Sequence, residues 1–154
     1  MSNINNTCPI CGEGILYPQV GENTVDYKGQ SAELELHFSL CDACGSEQSD
    51  AVQLRTNKRA IVAFKKQVDG LLTGAQVRAI RERLDINQAK AARIFGGGPV
   101  AFSKYESDDV AQSEAMDKLL RLAVELPAAF NLLTEKDGKK TPTSFDLLQA
   151  PPIG

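Results

Sequence analysis

Two short stretches decide the fold of the first half of this chain: Cys8-Pro9-Ile10-Cys11-Gly12 and Cys41-Asp42-Ala43-Cys44-Gly45. Together they contain all 4 of its cysteines. Two CxxC pairs supply four thiolates, which is the full tetrahedral set that a structural zinc ion takes. A glycine follows each pair, where the tight turn of a metal-binding knuckle favours a residue without Cβ. The pattern predicts one structural zinc ion per chain, held by Cys8, Cys11, Cys41 and Cys44.

The alternative uses of these cysteines are disulfide bonds or a redox-active CxxC motif. The first seven residues, MSNINNT, lack the basic and apolar segments of a secretory signal, so an oxidising compartment is not expected. A thioredoxin-type motif needs a single CxxC pair in a βαβ setting. A closed set of four thiolates leaves no open position for catalysis, and the only histidine, His37, is expected at the surface. We therefore expect a cytoplasmic protein that is not an enzyme.

Length, hydropathy and charge limit the classes of protein that remain. The 154 residues suffice for one domain or two small ones. No apolar run approaches the ~20 residues that a membrane-spanning helix needs, so no membrane association is expected. The net charge of −3 argues mildly against nucleic acid binding. Any inference of DNA binding therefore has to rest on a motif and on local charge.

The first half is predicted to be a small domain of strands and one helix. Apolar and polar residues alternate over residues 32–40, which is the period of a half-buried strand. A shorter strand is predicted at 24–27, with a turn at 28–30. Helical periodicity then runs from about 57 to 68. A domain of this size buries little apolar surface, so the metal is expected to supply much of its folding free energy.

One clearly basic stretch accompanies the predicted helix, and it comprises Arg55, Lys58, Arg59, Lys65 and Lys66. Such a stretch is typical of a solvated helix face. It is equally typical of a surface that contacts phosphates or an acidic partner. The sequence alone leaves both interpretations open.

The second half is predicted to be helical throughout. Asn87 can cap one helix, glycines at 96–98 make a turn, and Pro99 suits the first position of a helix that ends near residue 107. A further helix is predicted at 113–126. The expected fold class is α+β, with a zinc-binding β/α domain at 1–72, an all-α helix-turn-helix domain at 73–133 and a flexible tail at 134–154.

Two helices joined by a short glycine turn have the layout of a helix-turn-helix motif. In that motif the second helix enters the major groove of DNA with its N-terminal residues toward the bases. A helical bundle without a ligand can have the same spacing, because helical hairpins are common. Spacing alone does not separate these alternatives.

The helical half also carries a more specific pattern of residues. It reads Leu84-Asp85-Ile86-Asn87-Gln88-Ala89, and then Ile94-Phe95-Gly96-Gly97-Gly98-Pro99-Val100-Ala101-Phe102-Ser103-Lys104-Tyr105-Glu106. The run resembles the Xre/Cro-type helix-turn-helix and in particular the MqsA (YgiT) antitoxin family, in which FGGG is followed by two variable residues, AFS, a basic residue and YE. That family also carries an N-terminal CPxCG…CxxC zinc module. Both modules match in order and spacing, over about residues 8–133.

The resemblance implies a two-domain antitoxin of a type II toxin–antitoxin system. Its zinc domain is expected to bind a partner ribonuclease toxin. Its C-terminal domain is expected to form a homodimer that binds a palindromic operator in double-stranded DNA and represses its own operon. The alternative is a solitary zinc-finger and helix-turn-helix transcription regulator without a toxin, and only the neighbouring reading frame distinguishes the two.

The resemblance further implies which side chains contact DNA. The family has asparagine at the position of Val100 and arginine at that of Lys104, and both read bases. Val100 cannot make the bidentate contact of asparagine to adenine, and Lys104 lacks the planar guanidinium, so the operator sequence does not carry over. Gln88 matches the position that contacts phosphate in many Xre-type domains, and Ser103 is expected to make a further contact to the DNA backbone. Lys65 corresponds roughly to a basic residue in the interdomain segment of the family, so it is also expected to contact a phosphate. Each of these polar residues is equally compatible with an ordinary surface position.

Overall fold

The computed structural model describes residues 6–137 of the chain. Within this part the fold is α+β, as the sequence predicts, with one three-stranded antiparallel sheet and six helices. The strands are β1 (Leu16–Tyr27), β2 (Gln30–Cys41) and β3 (Glu47–Gln48). The helices are α1 (Ala51–Asp69), α2 (Gly74–Arg83), α3 (Gln88–Phe95), α4 (Ala101–Glu106), α5 (Glu114–Glu125) and α6 (Pro127–Asp137).

The described residues form two compact units, and each unit is made of two separate stretches of the chain. The first unit contains the residues up to Ala75 together with the segment Lys104–Ala111. The second unit contains Gln76–Ser103 together with the residues from Gln112 onward. Helix α4 therefore begins in the second unit and ends in the first.

One long hairpin forms most of the sheet in the first unit. β1 and β2 pair along their full length, and the loop between them consists of Lys28 and Gly29, with φ of 48° and 78°. Positive φ at both positions is the conformation of the two-residue turns that match strand twist. The predicted strand at 32–40 and its turn are confirmed. β1 is longer than the predicted 24–27, because its first half is held by pairing with β2.

Helix α1 packs on the sheet and begins earlier than predicted. The carboxylate of Asp50 accepts a hydrogen bond from the Gln53 N–H at 2.7 Å, and the Gln53 side chain accepts one from the Asp50 N–H at 2.9 Å. This reciprocal cap starts the helix at Ala51. The Asn57 amide then bonds both the N–H and the carbonyl of His37 in β2, at 2.7 and 2.9 Å. These bonds tie the helix to the strand.

Two carboxylates of the segment 104–111 form ion pairs with basic residues of α1. Arg59 donates two hydrogen bonds to Asp109, at 2.7 and 3.1 Å. Lys66 is fully buried, and its ammonium donates to Asp108 at 2.9 Å and to a backbone carbonyl of α4 at 3.0 Å. Arg59 and Lys66 therefore form ion pairs within the protein. The expectation that the whole basic stretch forms one solvent-exposed helix face is wrong for these two residues.

The helices of the second unit pack around a small apolar core. Asn87 caps α3, as predicted, by accepting a hydrogen bond from the Lys90 N–H at 2.8 Å. The ring centre of Phe95 lies 5.9 Å from that of Phe102 and 6.4 Å from that of Phe130. Further buried residues of this core are Val77, Ala91, Met116, Leu120 and Ala123.

Two boundaries in the helical half differ from the predictions. The three glycines after α3 have φ of 91°, 98° and 94°, and the turn continues through Pro99, so α4 begins at Ala101. Pro99 is therefore not the first residue of the helix. Helix α6 includes residues 134–137 of the predicted tail, and the rest of that tail lies outside the described residues. Among residues 6–137, no helix is long and apolar enough to cross a membrane.

Candidate metal centre and candidate DNA-contact residues

The four cysteines converge where the hairpin meets the N-terminal residues. Their sulfur atoms all lie within 4.8 Å of one another. Cys8 Sγ is 3.7 Å from Cys44 Sγ, and Cys11 Sγ is 3.7 Å from Cys41 Sγ, so each short distance joins the two CxxC pairs. A regular tetrahedron with metal–sulfur distances of about 2.3 Å has sulfur–sulfur edges of about 3.8 Å. The separations fit one tetrahedrally bound ion.

Each CxxC pair forms a tight turn that its following glycine closes. The Gly12 N–H donates to the Cys8 carbonyl at 2.8 Å, and the Gly45 N–H donates to the Cys41 carbonyl at 3.1 Å. The two glycines have φ of 73° and 72°, the left-handed region that a residue without Cβ enters at little cost. Two backbone N–H groups of the second knuckle also donate to Cys41 Sγ, each at 3.4 Å. The backbone of the second knuckle therefore helps to fix the position of Cys41 Sγ.

Gly14 lies directly against the sulfur cluster. Its N–H donates to Cys11 Sγ at 3.3 Å, and its carbonyl accepts from the Cys8 N–H at 2.7 Å. A Cβ at this position would overlap Cys41 Sγ and lie 2.8 Å from the Ala43 Cβ. Only glycine at this position lets the two knuckles approach each other as closely as they do.

Hydrogen bonds shift the acidity of these thiols in opposite directions. The Cys11 backbone N–H lowers the pKa of Cys8 to about 5, against the opposing effect of burial and with help from the Ser46 hydroxyl. The same hydroxyl lowers the pKa of Cys44. At Cys41 the backbone N–H of Cys44 lowers the pKa, but burial and hydrogen bonds with the neighbouring thiols outweigh it and raise the pKa to about 11. Four thiols this close need a cation before all can ionise, and a metal ion supplies that charge.

Two polar side chains outside the CxxC pairs contact the thiols, and neither was predicted from the sequence. The Gln48 amide donates to Cys8 Sγ at 3.2 Å and to Ser46 Oγ at 2.9 Å. Ser46 Oγ in turn lies 3.1 Å from Cys44 Sγ. Such partners fix the orientation of metal ligands. The position of Ser46 directly after Gly45 is a usable sequence signal, whereas nothing in the sequence marks Gln48.

The donor set can hold a metal ion. Among residues 6–137, the four cysteines form the one group of His, Cys, Asp and Glu side chains with metal-binding separations. A tetrahedral set of four thiolates suits zinc or iron, and it leaves no open coordination position. His37 contributes nothing to this set, because its imidazole faces Glu35 at 3.4 Å.

Three of the five candidate DNA-contact residues lie together at α4. Val100, Ser103 and Lys104 are all exposed, and Val100 keeps 56% of its surface in contact with solvent. Ser103 and Lys104 lie on α4, and Val100 lies in the turn directly before it. The intervening Ala101 and Phe102 are buried. Helix α4 therefore has one face in the core and one face in solvent.

The other two candidates lie on separate elements. Gln88 is the first residue of α3 and is half-buried in the second compact unit. Lys65 is exposed on α1 in the first unit, where its ammonium lies 5.2 Å from the ring centre of Tyr27. That geometry is a cation–π contact. Lys65 thus has an internal partner that its sequence context did not indicate.

The chain is similar to known antitoxins along most of its length. A family model described as "Antitoxin component of bacterial toxin-antitoxin system, MqsA" matches residues 6–135. The protein "Antitoxin MqsA" of Escherichia coli (strain K12) is 28% identical over 131 residues, which cover 80% of this chain and 96% of that relative. The matched range includes the four cysteines and all of the candidate DNA-contact residues.

Proposed function

Because this chain belongs to the MqsA family of antitoxins, we propose that it neutralises a ribonuclease toxin and represses its own operon by binding DNA. The observation that carries this proposal is the family match over residues 6–135, which spans both the cysteine centre and α4. Membership of an antitoxin family implies a toxin partner. It also favours a regulator without enzymatic activity, and the free cysteines suit the reducing cytoplasm.

The metal in this proposal is one zinc ion per chain with a structural role. Cys8, Cys11, Cys41 and Cys44 would hold it, and its charge would let all four thiols ionise together. A closed sulfur set supports this role, since it offers no position for substrate. Elemental analysis of the purified full-length protein should give close to one equivalent of zinc. A metal-free protein with an intact sheet would overturn this part of the proposal.

The toxin is proposed to bind the N-terminal segment, residues 1–72. β1 supports this, because it is an edge strand of the sheet and pairs only with β2 among the described strands. Tyr17 and Val20 on this strand are exposed apolar residues. Unpaired strand edges and exposed apolar side chains are common features of protein-binding surfaces.

Co-expression with the adjacent reading frame tests the toxin proposal. The full-length chain should restore the growth of cells that express the toxin, and it should co-purify with the toxin. Val20→Glu, in the exposed part of β1, should weaken that complex. Glu22→Lys, on the same strand, is a matched control for a change of surface charge. If no neighbouring frame is toxic and none co-purifies, the chain is the solitary regulator that the sequence left open.

DNA binding is proposed for the C-terminal segment, residues 73–133, as a homodimer. The exposed face of α4 supports this, since a recognition helix must present its first turns to the major groove. Exposed Leu122 and Leu126 at the end of α5 support a dimer contact there. A two-fold dimer would place two copies of α4 about one helical turn apart on a palindrome.

Two substitutions in α4 test the DNA proposal. Lys104→Ala should weaken operator binding by about 1–3 kcal/mol if its ammonium reads a guanine. Val100→Asn should change base preference at one position in each half-site, because asparagine can bond adenine. Selection from a randomised palindrome followed by mobility shifts measures both effects, with Lys136→Ala on α6 as the control. If Val100→Asn leaves the base preference unchanged and Lys104→Ala leaves the operator affinity unchanged, the proposal that α4 binds in the major groove is wrong.

A further inference from the structure

An open groove of about 360 Å³ lies between α3 and the glycine turn that follows it. It is lined by Ala89, Ala92, Arg93, Gly98 and Pro99, which all belong to the second compact unit. Apart from the guanidinium of Arg93, this lining offers aliphatic side chains or none. Because burial removes apolar surface from water, the groove favours an apolar occupant.

The described part of the chain ends beside this groove. Asp137 is the last described residue, and its carboxylate lies 3.6 Å from Arg93 Nε. The earlier part of α6 is held on α3 by the rings of Phe130 and Phe95, whose centres lie 6.4 Å apart. The chain beyond Asp137 therefore starts next to a residue that lines the groove, within the same compact unit.

The sequence that follows Asp137 contains an apolar group that suits this groove. Residues 138–154 include Phe145, Leu147 and Leu148, and residues 138–144 before them read Gly-Lys-Lys-Thr-Pro-Thr-Ser. A linker of 7 residues spans up to about 25 Å when extended, which is ample for a groove that adjoins Asp137. The family match ends at residue 135, so this segment is not part of what the family model covers.

We propose that Phe145 and Leu148 bind in the groove of the same chain. A short linker holds the segment at an effective concentration on the order of millimolar, so a weak contact is enough to keep the groove occupied. The segment also carries Asp146, and the Arg93 side chain, which is 60% exposed, has donors for a second carboxylate. The linker and this charge favour the chain's own segment over an unrelated protein.

A bound segment would also affect the proposed DNA contact. Gly98 and Pro99 line the groove and directly precede Val100, so the segment would lie beside a residue that is proposed to face a base. The segment and a DNA duplex would then compete, and the apparent Kd for DNA rises as the accessible fraction of the protein falls. This competition rests on the proposed function, whereas the binding of the segment does not.

The test compares NMR chemical shifts of the full-length protein and its variants. Phe145→Ser together with Leu148→Ser removes both proposed anchors and leaves residues 6–137 unchanged. Ile153→Ser is the matched control, because it removes an apolar side chain from the same segment outside the proposed contact. In the double variant, but not in the control, the amide shifts should change at the residues of the groove, namely Ala89, Ala92, Arg93 and Gly98.

Ala89→Glu tests the same contact from the side of the groove. Ala89 is exposed on α3, so the helix accepts glutamate there, and the substitution places a charge in the groove. The methyl shifts of Leu148 should change in this variant. Ala79→Glu, at an exposed position of α2, is the control and should leave them unchanged. Circular dichroism verifies that every variant is folded.

If the groove amides keep their shifts in the double variant, or if Ala89→Glu leaves the Leu148 methyl shifts unchanged, the inference is wrong. Shift differences that disappear on dilution would assign the groove to a second copy of the chain and would also overturn it. If the groove is occupied at least half of the time, the double variant should bind operator DNA about twofold more tightly or better. Unchanged operator affinity would refute the competition. Absence of operator binding by the unmodified protein would refute the proposed function, and the shifts would still decide whether the segment binds.

Discussion

Replacing Asp108 by asparagine tests how the first compact unit depends on its buried charge. The Lys66 side chain is 0% exposed, that of Asp108 is 19% exposed, and the two charged groups lie 2.9 Å apart. Asparagine keeps an oxygen that can accept from Lys66 and from the Gly74 N–H, which lies 2.9 Å from the carboxylate. It also tolerates the φ of 59° at this position. The substitution thus removes the negative charge and little else.

The loss of stability can be bounded from the environment of Lys66. Removing one partner of a buried ion pair costs about 3–5 kcal/mol, because the remaining charge is uncompensated. The amide oxygen and the backbone carbonyl still accept from the ammonium, so we expect about 3 kcal/mol for Asp108→Asn. Lys66→Met should cost less, because Asp108 retains contact with water. The double variant buries no charge and should be more stable than Asp108→Asn alone.

Urea unfolding followed by tyrosine fluorescence measures these effects. The chain has 3 tyrosines and no tryptophan, and Tyr17, Tyr27 and Tyr105 all belong to the first unit. Asp85→Asn is the matched control, because Asp85 has a similar φ of 57° and is exposed. The prediction is wrong if Asp108→Asn lowers the free energy of unfolding by less than about 1 kcal/mol. It is also wrong if the losses in the two single variants simply add in the double variant. In either case the pair of Lys66 and Asp108 does not stabilise the contact between α1 and the segment 104–111.

Three further predictions concern the metal centre and the second ion pair. Cys41→Ser should lower bound zinc well below one equivalent and unfold the sheet while the C-terminal helices persist, as elemental analysis and circular dichroism would show. Gly14→Ala should weaken metal retention against a chelator because its Cβ meets the sulfur cluster, whereas Glu13→Ala should not. The folded pKa of Asp109 is lowered to about 2, so the stability from its contact with Arg59 is complete above the unfolded pKa of about 3.9 and is lost as the pH falls through 2. Acid unfolding of Asp109→Asn should lack this component, and an unchanged acid transition would contradict it.

The elements with a strong local pattern were predictable, and those that depend on distant partners were not. Alternation over residues 32–40 marked β2, and Asn87 marked the start of α3. The first half of β1 contains Pro18 and Gly21 and lacks alternation, so only its pairing with β2 makes it a strand. The start of α1 did have a local signal, since Asp50 followed by Gln53 is a capping-box pattern.

The cluster of four cysteines was predictable from residue type and spacing, whereas the burial of one lysine in the basic stretch was not. Four cysteines in two CxxC pairs determine a donor set almost independently of the fold around them. A lysine on a predicted helix carries no sign of burial. Lys66 is buried because Asp108 reaches it from a sequence distance of 42 residues. Helical periodicity within α1 contains no information about that carboxylate, so Lys66 was grouped with the exposed cations beside it.

The same separation has a consequence for the order in which the protein folds during its synthesis. The carboxylates that neutralise Arg59 and Lys66 follow them by 50 and 42 residues. At translation rates of about 5–20 residues per second, the carboxylate of Asp108 is added about 2–8 s after Lys66. In that interval the hairpin can form from local contacts, but burying the ammonium would leave it without a counterion. The end of α1 therefore completes its packing only after α4 has been made, and this long-range contact is a late step for the nascent chain.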